Sequence, residues 1–146
     1  MNVIDVYDIA TSNWYKQATS GPTPKIRVNP CAAVAAASDG SSYQVHMFGG
    51  QNLIPAGNQT QYDDLWILTV PSFTWIQVDQ KSQSVPPGRA GHSCHMWDGQ
   101  MVLVGGYVGD QLSCDSPGIY VLNASSLEWG TGFTALSGGS GSGSAG

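Results

Sequence analysis

The chain has 146 residues, of which 10% are charged, and it is rich in Gly (19), Trp (five) and Tyr (six). So little charge, against about 25% in an ordinary domain, with so many aromatics, excludes a disordered tail. With a net charge of −5 and only five Lys and Arg, no basic stripe exists to neutralise phosphates. Nucleic acid and anionic membrane surfaces are therefore not expected as partners, and no run approaches the roughly 18 apolar residues of a membrane span.

Taken in chain order, the elements repeat. Met1–Asp5 lacks the basic region and apolar core of a signal peptide and reads as the inside of a repeat, so the chain is expected to be an excerpt of something longer. Asp5–Ile9 is a strand-like run, Ala10–Asn13 a turn, and Trp14 closes the unit. A second unit begins near Arg27. It carries Pro30–Ala35, an Asp39-Gly40 turn, the run Tyr43–Phe48, the pair Gly49-Gly50, a polar loop, Leu65–Leu68, a turn and Trp75. The third has Arg89, His92–Met96, Asp98-Gly99, Gln100–Val104, Gly105-Gly106, a polar loop, Gly118–Leu122, a turn and Trp129. The Trp residues are 61 and 54 residues apart and the Arg residues 62. Independent landmarks sharing one period are the signature of a repeat architecture.

Period-2 runs and turn residues predict four short strands per unit. Asp-Gly steps suit tight hairpins that need positive φ. Gly-Gly lets the backbone pack closely against a neighbouring sheet, and each closing Trp offers an apolar face to fill the space between sheets. The predicted fold is all-β: four-stranded antiparallel blades, about two and a half of them. The expected boundaries are 1–17 for the outer strands of a partial blade, 24–80 and 86–133 for two full blades, and 134–146 for a flexible Gly/Ser linker.

These units resemble kelch repeats, the blades of a β-propeller in the galactose oxidase/kelch-type superfamily. The likeness rests on Arg89-x-x-His92-Ser93, Gly105-Gly106, Ile119-Tyr120 and Trp129, with Gly49-Gly50, Asp64-Leu65-Trp66 and Trp75 in the second unit and Trp14 in the first. The second unit departs from the pattern at Pro30. The segments Gly91–Cys94, Val104–Gly109 and Leu112–Val121 are most similar to fungal kelch-repeat surface proteins. That resemblance implies an extracellular propeller followed by a flexible stretch and a membrane anchor, the anchor not lying in this sequence. Two and a half blades do not close a ring, so the remaining blades are expected from the parent chain or from other copies.

The candidate chemistry is sparse. His92 and His95 are three apart, which on a strand places them on opposite faces, so no metal site is expected; His46 reads as a satisfied core residue. Asp5/Asp8 and Asp63-Asp64 border strands where kelch blades carry an acid, and are assigned to backbone or Arg bonding rather than acid/base work. The folded part has no Gly-x-Ser-x-Gly or Walker motif, and no copper-ligand constellation of the kind found in kelch-propeller oxidases. No cofactor is expected. Cys94 and Cys114 fall at the same end of one blade, and a Cys94–Cys114 disulfide would clip about twenty residues, worth on the order of 3 kcal/mol; Cys31 is the alternative partner. Asn58 and Asn123 head glycosylation sequons in loops or turns.

The loops 51–63 and 107–117 are the expected recognition elements. Their candidate residues are Asn52, Asn58, Gln59, Tyr62, Tyr107, Asp110 and Gln111. The expected function is a non-catalytic extracellular binding module for a protein or a glycan. The alternatives are an excerpt of an oxidase-like enzyme whose active site lies elsewhere and a self-assembling propeller scaffold.

Overall fold

The computed structural model describes residues 1–110 and 118–135. Among the described residues it is all-β, with ten strands and no helix. Strands β1 (Val3–Asp8) and β2 (Asn13–Ala18) form a two-stranded sheet. Four-stranded antiparallel sheets follow, one of β3 (Cys31–Ala36), β4 (Tyr43–Phe48), β5 (Leu65–Val70) and β6 (Thr74–Gln77), the other of β7 (Ser93–Trp97), β8 (Gln100–Val104), β9 (Ile119–Asn123) and β10 (Trp129–Gly130). These are kelch-type blades, in number and order as the repeats predict.

Turn chemistry sets the registers. Asp98 (φ 48°) and Gly99 (φ 68°) make a two-residue hairpin that brings Trp97 opposite Gln100, the geometry a right-twisted ribbon favours. Each outer hairpin also carries a left-handed residue two positions before its closing Trp: Ser12, Phe73 and Leu127, at φ 51–58°.

Residues opposed across strands share a face, so each sheet has a front and a back. On the second sheet, Cys31, Phe48 and Leu65 form the front and meet Met101, Leu103 and Leu122 of the third sheet in one buried cluster. Its back, with Met47, Trp66, Leu68 and Trp75, packs on Met1 and Ile4 beside the first sheet. The closing tryptophans thus all face backward. Trp129 lies edge-on to Phe48 at 4.9 Å. Trp14 finds no preceding sheet among the described residues; it is 70% exposed and leans on Tyr7.

Two expectations change. Cys94 is bonded to Cys31, 63 residues away with a Cα–Cα distance of 5.8 Å, and not to Cys114, which lies outside the described residues. The reason is the stacking: Cys31 opens β3, Cys94 is the second residue of β7, and the two meet across the seam between adjacent sheets. Thr134, the first residue of the expected linker, is instead tied to the third sheet by Gln100, whose amide donates to its carbonyl at 2.7 Å and accepts from its N–H at 3.0 Å.

Candidate functional site

The loops after β4 and β8 leave the same end of adjacent sheets, where buried polar groups hold them. The Arg27 guanidinium donates to both oxygens of Asp64 (2.5 and 2.9 Å) and to the Gly49 carbonyl (3.0 Å), and it lies 4.4 Å over the Tyr62 ring. The Trp66 indole also donates to Asp64 at 2.6 Å. Burial alone would raise the Asp64 pKa, but these bonds and the Arg27 charge outweigh it and hold the carboxyl below its usual range. The third sheet repeats the motif: Arg89 donates to the Gly105 carbonyl at 2.8 Å and sits over the Tyr120 ring.

The seam is stitched by backbone and histidine. The Gly50 N–H donates to the Arg89 carbonyl at 2.8 Å, and the Arg89 N–H donates to the Tyr62 carbonyl at 3.2 Å. His92 Nε2 lies 3.1 Å from the Phe48 carbonyl, so the imidazole meets it as the Nε2–H tautomer. Burial, partly offset by that bond and reinforced by Arg89, lowers the His92 pKa to about 4. His46 is fully buried; its Nδ1 meets the Gln44 carbonyl at 3.3 Å, while its Nε2 has no partner among the described residues, so the satisfied core residue expected there is half-satisfied.

Between the two loops lies a cleft of about 620 Å³. One wall is Asn58–Gln61, the other Tyr107–Asp110, and Pro87-Gly88 of the linker forms the floor. A Cβ on Gly88 would lie 2.6 Å from the Gln61 carbonyl oxygen, so only Gly allows the linker this close. Tyr107 is half exposed and donates its hydroxyl to Asp110, which raises the phenol's pKa. Among the described residues, no Lys, Arg or His lines the cleft. No group of three metal-ligating side chains occurs among the described residues.

The structure therefore gathers Asn58, Gln59, Tyr107 and Asp110 into one site and leaves out two other candidates. Asn52 braces its own loop, donating to the Ile54 carbonyl at 2.8 Å and accepting from the Thr60 N–H at 2.7 Å. Tyr62 is turned to Arg27. Gln111 lies outside the described residues. Sequence reasoning missed Gln61 and Gly88; the Pro86-Pro87-Gly88 breaker was the available signal for the latter. Of the sequons, Asn58 is exposed on the cleft wall, while Asn123 is exposed at the outer turn and accepts from the Ser125 and Ser126 N–H groups. Among the acids, Asp5 pairs with Lys16 and Asp8 caps its turn through Ala10 and Thr11.

Stacked four-stranded sheets with loops gathered at one end define a segment of β-propeller. Residues 1–141 match the KLHDC2/KLHL20/DRC7 Kelch-repeats domain, and the chain belongs to that kelch-repeat family. It is 68% identical over 139 residues to a kelch repeat-containing protein of Arthroderma benhamiae, covering 95% of this chain and 21% of that protein. It is 29% identical over 118 residues to acyl-CoA-binding domain-containing protein 5 of Arabidopsis thaliana, covering 75% of this chain and 16% of that one. It is also 28% identical over 137 residues to acyl-CoA-binding domain-containing protein 4 of the same plant, covering 88% and 18%. The chain thus spans about a fifth of the length of these relatives. Kelch-repeat domains are generally binding domains that carry out no reaction themselves.

Proposed function

We propose that this chain is a recognition segment of an extracellular kelch propeller, and that it takes a segment of a partner protein in the cleft between its Asn58–Gln61 and Tyr107–Asp110 walls. The cleft carries the reading: amides and a half-exposed phenol line it, with no cation and no acid–base pair among its described lining residues. The inter-sheet disulfide and the two exposed sequons support an oxidising, glycosylating compartment. A neutral glycan is the second reading, favoured by the same exposed Tyr flanked by amides.

The test is a peptide-display selection on the wild-type chain, with a neutral oligosaccharide array beside it. Ligands recovered are then measured on Tyr107→Ala and Gln59→Ala. Peptides that lose at least tenfold affinity on both variants, with melting unchanged, support the protein reading. Oligosaccharides that do so favour the glycan. Ligands that bind both variants as they bind wild type overturn the cleft as the site.

A further inference from the structure

Beside the Gly49 corner, Tyr62, Asp64 and Arg27 form a set: the guanidinium lies 4.4 Å over the Tyr62 ring and donates to both Asp64 oxygens. The third sheet again sets an arginine over a tyrosine, Arg89 at 4.9 Å over Tyr120. In the cleft a tyrosine and a carboxylate recur as Tyr107 and Asp110, the phenol donating to Asp110 Oδ1. Here no cation of the chain completes the set. Among the described residues, Asp110 has no ion-pair partner and its Oδ2 has no donor. The five Lys and Arg are placed elsewhere: Lys16 on Asp5, Arg27 on Asp64, Arg89 at Gly105 and Tyr120, with Lys25 and Lys81 off the cleft lining. Residues 111–117 and 136–146 contain no Lys, Arg or His. The opposite wall adds an acceptor. Gln61 Nε2 donates to Gln51 Oε1 at 3.1 Å and to the Gln59 carbonyl at 3.2 Å, and among the described residues Gln61 Oε1 receives no hydrogen bond. A Cβ on Gly109 would lie 3.0 Å from that oxygen, so it sits against the Tyr107–Asp110 wall.

We propose that the cleft takes an arginine side chain of the partner protein, its guanidinium against the Tyr107 ring and paired with Asp110. The proposal rests on the reading of the cleft as a protein-binding site and names the chemistry of what enters it. A half-exposed phenol ring, a carboxylate and an amide oxygen together suit a positive charge. A planar guanidinium meets the ring face and the carboxylate at once, and it leaves water more readily than an ammonium does. Arg27 shows the same three-part contact completed within the chain. An acidic segment would bring its carboxylates to Asp110 with no described cation in the lining to balance them. The chain's net charge of −5 also draws a basic partner toward it.

The test follows the backbone amide signals of Gln61, Gly109 and Asp110 by NMR while the full chain is titrated with two blocked peptides. One is acetyl-Gly-Ser-Arg-Ser-Gly-amide; the other carries citrulline, which keeps the shape of arginine without its charge. The arginine peptide should shift all three signals saturably, bind at least about tenfold more tightly than the citrulline peptide, and lose most of that advantage at ~0.5 M salt. Asp110→Asn should bring its affinity down to that of the citrulline peptide with the melting temperature unmoved, since Asp110 is exposed. Two peptides that shift the cleft signals with equal affinity overturn the proposal and leave the cleft as a peptide site. An arginine peptide whose affinity survives Asp110→Asn overturns it as well. Cleft signals that neither peptide moves also overturn it, and the display selection then decides the cleft separately: recovered peptides that weaken on Tyr107→Ala and Gln59→Ala keep the protein-binding reading without the arginine.

Discussion

The imidazole of His92 reaches across the seam between two sheets to the carbonyl oxygen of Phe48, 3.1 Å away. A side chain of one repeat thereby bonds the backbone of the repeat before it, beside the Gly49-Gly50 corner.

Burial of His92 at this seam makes it sensitive to acid. The unfolded imidazole takes up its proton near pH 6.5, the folded one near 4, because burial and Arg89 oppose the charge. Between those values the unfolded chain binds the extra proton, so stability is level above about pH 6.5 and falls as pH drops, by up to about 3 kcal/mol at pH 4. His46, lowered mainly by burial, acts in the same direction. Urea midpoints from pH 8 to 4 should show this decline. His92→Ala should be about 1–2 kcal/mol less stable at pH 7.5 and show a flatter profile; an unchanged slope in that variant would remove His92 as its source.

Gly49→Ala and Gly105→Ala separate backbone strain from crowding. Both positions have φ near +70°, costing an L-residue about 1 kcal/mol. Only at position 49 does the new methyl strike the Arg89 carbonyl and His92. Thermal melts should place Gly49→Ala at least about 2 kcal/mol below Gly105→Ala. Equal losses would contradict the packing at this corner.

The Cys31–Cys94 bond closes 63 residues, which in the chain-entropy view stabilises the fold by about 4 kcal/mol. Thiol titration of the unreduced, denatured chain should find one free thiol, rising to three on reduction. Cys94→Ser should lower the urea midpoint, and Cys114→Ser should leave it in place; the reverse pattern would restore the Cys94–Cys114 pairing.

Asp64→Asn leaves the Arg27 guanidinium, itself buried, without its counter-charge. Removing one partner of a buried pair costs about 3–5 kcal/mol, less here because the Asp64 side chain is partly solvated. Replacing Asp5 of the exposed Asp5–Lys16 pair should be nearly silent. Denaturation of the two variants side by side checks the contrast.

How much of this was legible in the sequence depends on the range of the interaction. The blades were legible because their signals are local: Asp98-Gly99 dictates its own hairpin, Gly49-Gly50 its own corner, and Trp14, Trp75 and Trp129 recur at one period. Cys31–Cys94 was not, because the choice between Cys31 and Cys114 is made by how one sheet stacks on the next. For the same reason, Tyr62 and Asn52 look like free loop residues in a string of letters, while in space Arg27 and the Ile54 and Thr60 backbone claim them. Gln61 and Gly88 join the cleft only when the linker from one sheet crosses the loop of another.

The backward-facing tryptophans give the array a grammar. Each Trp is spelled in one repeat but read by the repeat before it, so any seam is encoded half on each side. A duplication or loss of one whole period, wherever it is cut, leaves every back face matched to a front face. A cut that is not a multiple of the period sets mismatched surfaces against each other. Descendants of such a gene can therefore change length readily only in steps of a full repeat of about 54 to 61 residues, and variation within a step is confined to the loops, where the cleft lies.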